Sequence, residues 1–364
     1  MLILGRLARH PSRVPMPVSK RALATSSLAT RGPDFITLRD LNAAEITRLV
    51  TSALQFKHQC KVQGQLYHPD RPLSGQTLAI MFSKRSTRTR VATETAMAYL
   101  GGQGLFLSPQ DIQLGVNESL RDTSQVVSSM CSGIMARVGA HSDIEALAQY
   151  SSVPVINALS DLFHPTQILA DLMTMHEVAV AARATADKPL LPHKVPLSDT
   201  LPGTKVAWIG DANNIVYEMM MAFPKVGIDF AVATPKGYDT PDVIRTTAEE
   251  LARTHQTSLQ FTHEPTQAIR NANSIVTDTW VSMGQEEEKA QRLQDFAGYQ
   301  ITHAMIQRGQ PSPNWRFMHC LPRKAEEVDD EVFYSPQSVV FQEAENRKWT
   351  ILSVLNAALV EKAF

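Results

Sequence analysis

Short apolar runs alternate with helix-length stretches along most of the 364 residues, and this alternation limits the possible folds more than any other feature. Thr77–Phe82, Gly104–Leu107, Gly133–Val138 and Val153–Ala158 have the length and apolar character of buried parallel strands. Between them, Ser86–Leu100, Ser119–Met130 and Asp143–Tyr150 have helical spacing. Pro165–Ala182 opens with proline, whose missing N–H costs nothing in a first helical turn. The stretch Thr185–Gly203 holds four prolines and reads as a linker or surface insertion. The pattern then restarts with strand Lys205–Ile209, helix Asn214–Val226, strand Phe230–Ala233, helix Pro241–His255, strand Ser274–Thr277 and a last strand at Arg316–His319. Parallel strands need helical crossovers, so the predicted class is α/β, with two doubly wound domains, parallel sheets and a cleft between them. Arg347–Glu361 carries Trp349, Ile351, Leu352, Leu355 and Leu359 at helical spacing and is predicted to pack back on the first domain. The expected division is 34–183 plus 344–364 as one domain and 184–343 as the other.

Residues 1–33 stand apart. They hold Arg6, Arg9, Arg13, Lys20, Arg21 and Arg31 and no acid, leaving 29 basic against 36 acidic residues in the remainder. Arg-rich, Ser-containing and acid-free is the composition of a mitochondrial transit peptide, so the expected location is the mitochondrial matrix. A disordered basic tail is the alternative, and a secretory signal fits worse because no uninterrupted apolar core follows the first charges. The expected cleavage lies between Arg21 and Pro33. The whole chain carries a net charge of −1, which provides no global field for nucleic acid or a membrane surface. No apolar stretch approaches the ~20 residues that span a bilayer. Cys60, Cys131 and Cys320 are too few and too far apart for a disulfide framework or a Cys-based zinc site, and no H-E-x-x-H spacing occurs.

Five motifs carry chemistry. Ser86-Thr-Arg-Thr-Arg90 follows a predicted strand and opens a helix, where free N–H groups, hydroxyls and an Arg fork suit a phosphate. It lacks the glycines of an ATP-type P-loop, and its plain reading is a solvated basic helix start capped by Ser. His164-Pro-Thr-Gln167 starts another helix at a strand end and read alone is a structural turn. Gly210-Asp-Ala-Asn-Asn214 follows a strand but has no G-x-G-x-x-G, so a dinucleotide site is disfavoured. Asp278-Thr-Trp-Val-Ser-Met-Gly284 offers a carboxylate and a hydroxyl. His319-Cys-Leu-Pro322 sets a thiol beside a proline, and in isolation Cys320 is ordinary packing.

As a set, these motifs resemble those of the aspartate/ornithine carbamoyltransferases, over nearly the whole chain after the leader. S-T-R-T-R and H-P-T-Q are shared by both branches of that family and point only to carbamoyl phosphate. Asp278 with Ser282-Met283-Gly284, and His319-Cys320-Leu321-Pro322, look like the ornithine branch; the aspartate branch has a Pro-Leu-rich segment and a proline in place of the cysteine. The resemblance implies that Ser86, Thr87, Arg88 and Thr89 hold the phosphate, while Arg137, His164 and Gln167 reach the carbamoyl group. Gln113 matches a position that enters a neighbouring subunit's site, which implies a homotrimer. Asn214, Asp278, Ser282 and Met283 match ornithine-binding positions, and Cys320, Leu321 and Arg347 complete the site. The Leu–Pro bond of H-C-L-P is expected to be cis. No metal or organic cofactor is implied.

The implied reaction moves the carbamoyl group of carbamoyl phosphate to the δ-amine of L-ornithine, giving citrulline and phosphate. Arg137, His164, Cys320 and Asp278 are the catalytic candidates, with Cys320 as thiol or thiolate left open. A carbamoyltransferase acting on aspartate or another amino acid is the nearest alternative. A silent paralogue serving as a binding subunit is the other, and the retention of every motif argues against it.

Overall fold

The computed structural model of the chain describes residues 31–108, 118–185, 187–281 and 286–364. Its first sheet is built from β1 (Thr77–Phe82), β2 (Gln103–Leu107), β3 (Gly133–Arg137) and β4 (Val155–Leu159), in spatial order β2-β1-β3-β4 and parallel throughout. Around it lie α1 (Ala43–Lys61), α2 (Thr87–Tyr99), α3 (Leu120–Met130), α4 (His141–Tyr150) and α5 (Pro165–Arg183). The second sheet has β5 (Lys205–Ile209), β6 (Asp229–Ala233), β7 (Leu259–Thr262), β8 (Ser274–Thr277) and β9 (Arg316–His319), in order β7-β6-β5-β8-β9, again parallel. Its helices are α6 (Asn214–Ala222), α7 (Asp242–His255), α8 (Pro265–Ile269), α9 (Lys289–Asp295), α10 (His303–Gly309) and α11 (Asp330–Phe333); α12 (Val340–Leu355) closes the chain.

Each sheet reverses its winding once, between β1 and β3 in the first and between β5 and β8 in the second. Loops leaving the strand ends at such a reversal diverge to opposite faces and open a crevice. The S-T-R-T-R motif follows β1 and Arg137 ends β3; Gly210-Asp-Ala-Asn-Asn214 follows β5 and Asp278 follows β8. The four strand-end groups predicted to carry chemistry therefore occupy the two crevices. Gly210 has φ 144°, and a Cβ there would meet Thr277 Oγ1 at 3.2 Å, so the turn out of β5 favours glycine.

The predicted class holds, with differences in detail. The sequence reading did not identify α1, although Asn42 and Glu45 form a capping box around its start. Nor did it identify β7, α8, α9, α10 or α11. The helix predicted over Asn214–Val226 stops at Ala222, because Pro224 supplies no N–H to continue it; a 3-10 turn, Pro224–Val226, follows. The proline-rich stretch is not wholly a surface insertion: Leu197 and Leu201 are buried, and buried His176 contacts Thr200 Oγ1 (2.7 Å) and the carbonyl of Pro192 (2.9 Å).

The last helix does return to the first lobe, against α1, α2 and α5. It begins at Val340, earlier than the spacing predicts, and ends in a π-helical turn over Asn356–Glu361. It is buried nearly all round rather than amphipathic, since Trp349, Ile351, Leu352, Val354 and Leu355 are all inside.

A second tie joins the N-terminal segment to α6. Buried Glu218 accepts hydrogen bonds from the hydroxyl of Thr37 (2.9 Å) and the N–H of Leu38 (2.6 Å), while its Oε2 has no partner. Burial pushes this carboxyl up to about 8. The native chain thus keeps a proton that the unfolded chain has released, so this group's contribution is greatest below the ordinary carboxylate range and is lost as pH rises towards 8. Glu218→Gln keeps the accepting oxygen and removes the ionisation. It is expected to raise Tm by several degrees at pH 8 or above, with little change near pH 5, in paired melting curves.

Candidate active site

The sequence candidates converge. Ser86, Thr87, Arg88, Thr89, Arg137, His164, Gln167, Asn214, Asp278, Cys320, Leu321 and Arg347 all line one cleft of about 880 Å³. Gln113, Ser282 and Met283 lie outside the described residues.

One end of the cleft is built for an anion. Ser86 caps α2 by accepting from the N–H of Thr89 (3.4 Å), and its hydroxyl donates to Thr89 Oγ1 (3.1 Å). No acid occupies the first turn of this thirteen-residue helix, so its free N–H groups and positive end face the cleft without an internal counter-charge. Arg88 reaches across to donate to the carbonyl of Leu321. Arg137 sits at the end of β3, where the register with β4 shifts between Ala136 and Arg137 and re-aims the chain. It is 8% exposed, and its Nε is buried without a hydrogen-bond partner among the described residues. Burial lowers its pKa to about 10, with nearby Arg88 acting in the same direction. Arg347 is also buried and lowered to about 10, again chiefly by burial and then by Arg88. Its guanidinium donates to Gln167 Oε1 (2.6 Å), Thr89 Oγ1 (3.0 Å) and Thr166 Oγ1 (3.3 Å).

His164 caps α5 by position but not by side chain. Its Nδ1 lies 3.3 Å from Thr166 Oγ1, which leaves Nε2 for the cleft. Burial and then the positive charges of Arg347, Arg137 and Arg88 hold the ring well below its ordinary pKa. It is therefore a neutral imidazole, able to donate or accept but not to add a further cation.

The other end is a carboxylate held by donors. Asp278 accepts from Thr279 N–H (2.7 Å) and from the Cys320 thiol (3.0 Å) on Oδ1, and from Asn213 Nδ2 (3.0 Å) on Oδ2. Burial, and then the charge of Asp278, raise the Cys320 pKa well above its ordinary value. This shift and the donation to Asp278 both favour the thiol over the thiolate, the alternative the sequence left open. Asn213 was missed by the sequence reading, which chose its neighbour. Asn213 caps α6 through Oδ1 and grips Asp278 with its amide, whereas Asn214 donates across the cleft to the carbonyl of Ser160 (2.6 Å). Its signal was present, since Asn directly before a helix is a preferred cap. The Leu321–Pro322 bond is cis, as expected. Asp278, His319 and Cys320 bring donor atoms within 4.8 Å of one another. They are already engaged among themselves and their neighbours: His319 Nδ1 accepts from Leu321 N–H (2.9 Å), and Nε2 faces Glu327 Oε1 (3.3 Å).

Two parallel-sheet lobes thus set a guanidinium-rich pocket and a carboxylate in one cleft, the layout of an enzyme site that can take an anionic and an amino group together. Comparison with known proteins gives the family. Residues 33–177 match the model of the aspartate/ornithine carbamoyltransferase carbamoyl-P binding domain, and residues 202–358 match that of its Asp/Orn binding domain. The chain belongs to the aspartate/ornithine carbamoyltransferase family. It is 48% identical over 346 residues to the mitochondrial ornithine carbamoyltransferase of Aspergillus terreus, covering 94% of this chain and 92% of that one. It is 44% identical to the mitochondrial ornithine transcarbamylase of Gallus gallus, covering 98% and 94%. Among solved structures, a mitochondrial ornithine carbamoyltransferase from Coccidioides immitis is 46% identical with TM-score 0.80, covering 91% of this chain and 98% of that one.

Proposed function

We propose that the cleft transfers the carbamoyl group of carbamoyl phosphate to the δ-amine of L-ornithine, yielding citrulline and phosphate, in the mitochondrion. The observation that carries this reading is the pairing of a pocket of buried guanidinium groups, in which Arg137 Nε lacks a hydrogen-bond partner among the described residues, with a carboxylate gripped by Asn213, Thr279 and Cys320 inside a single cleft. The ornithine relatives and the leader composition of residues 1–33 support substrate and location.

The chemistry follows from charge. The α2 N-terminus, Ser86, Thr87 and Arg88 take the phosphate, and Thr89, Arg137 and His164 surround the carbonyl oxygen. Gln167 has given both amide hydrogens to other partners and its oxygen already accepts from Arg347, so what it can offer the carbamoyl NH₂ is the second lone pair of that oxygen. Asn214 and Asp278 orient ornithine, with Asp278 holding its α-ammonium and Cys320 and Leu321 beside the δ-nitrogen. The neutral δ-amine attacks the carbamoyl carbon, and negative charge grows on the oxygen, where fixed donors act most strongly. The C–O bond to phosphate then breaks, and the phosphate leaves with the electron pair and takes the amine's proton. A free amine of pKa ~10.4 is scarcely deprotonated at neutral pH, so a cleft already crowded with guanidinium charge favours the neutral nucleophile.

The same reading assigns 34–183 with 344–364 to the carbamoyl phosphate domain and 184–343 to the ornithine domain. The packing of α12 on α1, α2 and α5 supports it. It further makes the active unit a homotrimer, with Gln113 entering a neighbour's site. Exposed Leu105 on edge strand β2, Val91 on α2, and Val126 and Met130 on α3 supply apolar surface for such contact. Among the described residues no helix is long and apolar enough to cross a membrane. The purified protein is expected to form citrulline from carbamoyl phosphate and ornithine, and not to carbamoylate aspartate. Absence of product above background would refute the reading, and light scattering after size exclusion tests the trimer.

A further inference from the structure

Beneath the cleft lies a buried polar cluster that the transfer chemistry does not consume. Gln167 on α5 donates one amide hydrogen to Asp171 Oδ1 and the other to Glu343 Oε1, each at 2.8 Å. Glu343 on α12 accepts the N–H of His319 on its second oxygen at 3.0 Å. Because both acceptor oxygens converge on the single amide nitrogen of Gln167, the two carboxyl groups lie side by side, and each is 1% exposed. Two buried carboxylates side by side repel one another too strongly for both to stay ionised, and one proton held between them removes that repulsion. The charged groups facing the pair are Arg347 from α12 and Asp278 from the loop after β8; β9 presents the His319 N–H and α5 the neutral Gln167. With one shared proton the pair carries a single negative charge against the single positive charge of Arg347. With none, a surplus negative charge would be buried without compensation. Burial raises both groups above the ordinary carboxylate range, in the same direction.

We propose that Asp171 and Glu343 hold one proton between them and form the positioning group that ties Gln167 and Arg347 to the backbone of His319, and so to Cys320. The two motifs that flank the reacting atoms, H-P-T-Q and H-C-L-P, are then set relative to one another by this carboxyl pair. Neither acid touches substrate. Gln167 with Asp171, and Glu343 with Arg347, are each one helical turn apart, so each helix supplies one acid and one of the groups it orients.

The kinetic part rests on the proposed transfer reaction; the proton itself is readable without it. Asp171→Asn is the discriminating variant, because its oxygen still accepts from Gln167 and its amide donates to Glu343, which then ionises. Infrared difference spectra of the full chain near pH 8, in the Glu218→Gln background to remove a carboxyl raised to about 8, are expected to show a carboxylic-acid C=O band. That band is lost on Asp171→Asn. In the citrulline assay, Asp171→Asn is expected to stay within about tenfold of the parent kcat/KM, whereas Asp171→Ala and Glu343→Ala fall by more than about a hundredfold. Two results overturn the proposal: a spectrum in which the parent has no acid band that Asp171→Asn lacks, or an Asp171→Asn as damaged as Asp171→Ala. Should Asp171→Asn not fold, an infrared titration of the Glu218→Gln protein alone decides. A band outlasting both the ordinary carboxyls and Asp211, which burial raises to about 6, supports the shared proton, and one vanishing with them refutes it.

Discussion

Arg137→Ala is expected to lower kcat/KM by at least about a hundredfold, the loss typical of removing one preorganised donor from a developing oxyanion. The argument is geometric before it is kinetic. Arg137 is 8% exposed, its Nε has no partner among the described residues, and burial together with Arg88 has depressed it to about 10. A cation held in that condition destabilises the empty protein and is stabilised when an anion or polarised carbonyl arrives. The same variant is therefore expected to show an unchanged or higher Tm, separating its role from a packing role. Arg137→Lys restores charge without the planar fork and should recover only part of the activity. Near-normal kcat/KM in both variants would show that the oxyanion lies elsewhere.

Asp278→Ala is expected to reduce kcat/KM for ornithine by two orders of magnitude or more, with carbamoyl phosphate binding little changed. Loss of a desolvated partner for an ammonium costs about 2–5 kcal/mol. Three donors converge on this carboxylate, from Asn213, Thr279 and Cys320, so its removal also leaves three donors without an acceptor. Asp278→Asn should be nearly as damaging, because its amide must point at one of those donors. Separate measurement of ornithine KM and of carbamoyl phosphate affinity checks the split. An equal loss in both would move Asp278 from ornithine recognition to general support of the cleft.

The sequence was most legible where local pattern and chemistry coincide. Each S-T-R-T-R, H-P-T-Q and H-C-L-P motif lies at a strand end, and the alternation of strands and helices places such ends in one crevice. Helices with weaker local signals, α9 and α10, escaped notice because they are one or two turns long and partly exposed. β7 is a half-buried edge strand, without the continuous apolar run that marked the others. Within the cleft, the residues proposed to meet substrate are clustered in sequence, but those that hold them are not. Glu343 lies 176 residues from Gln167, and no local pattern predicts that contact. Asp171 was within reach, one turn after Gln167 on the same helix, and the burial that makes it unusual emerges only from packing.

Arg347 sits on α12, and α12 completes the first lobe's core from the far end of the chain. Polypeptide emerging from a ribosome, or threaded N-terminus first through a translocation pore, must therefore wait for α12 before that lobe can close over its apolar interior. Until then the faces of α1, α2 and α5 that receive Trp349 and Leu352 stay open to water, which makes this interval the one in which chaperone protection matters most.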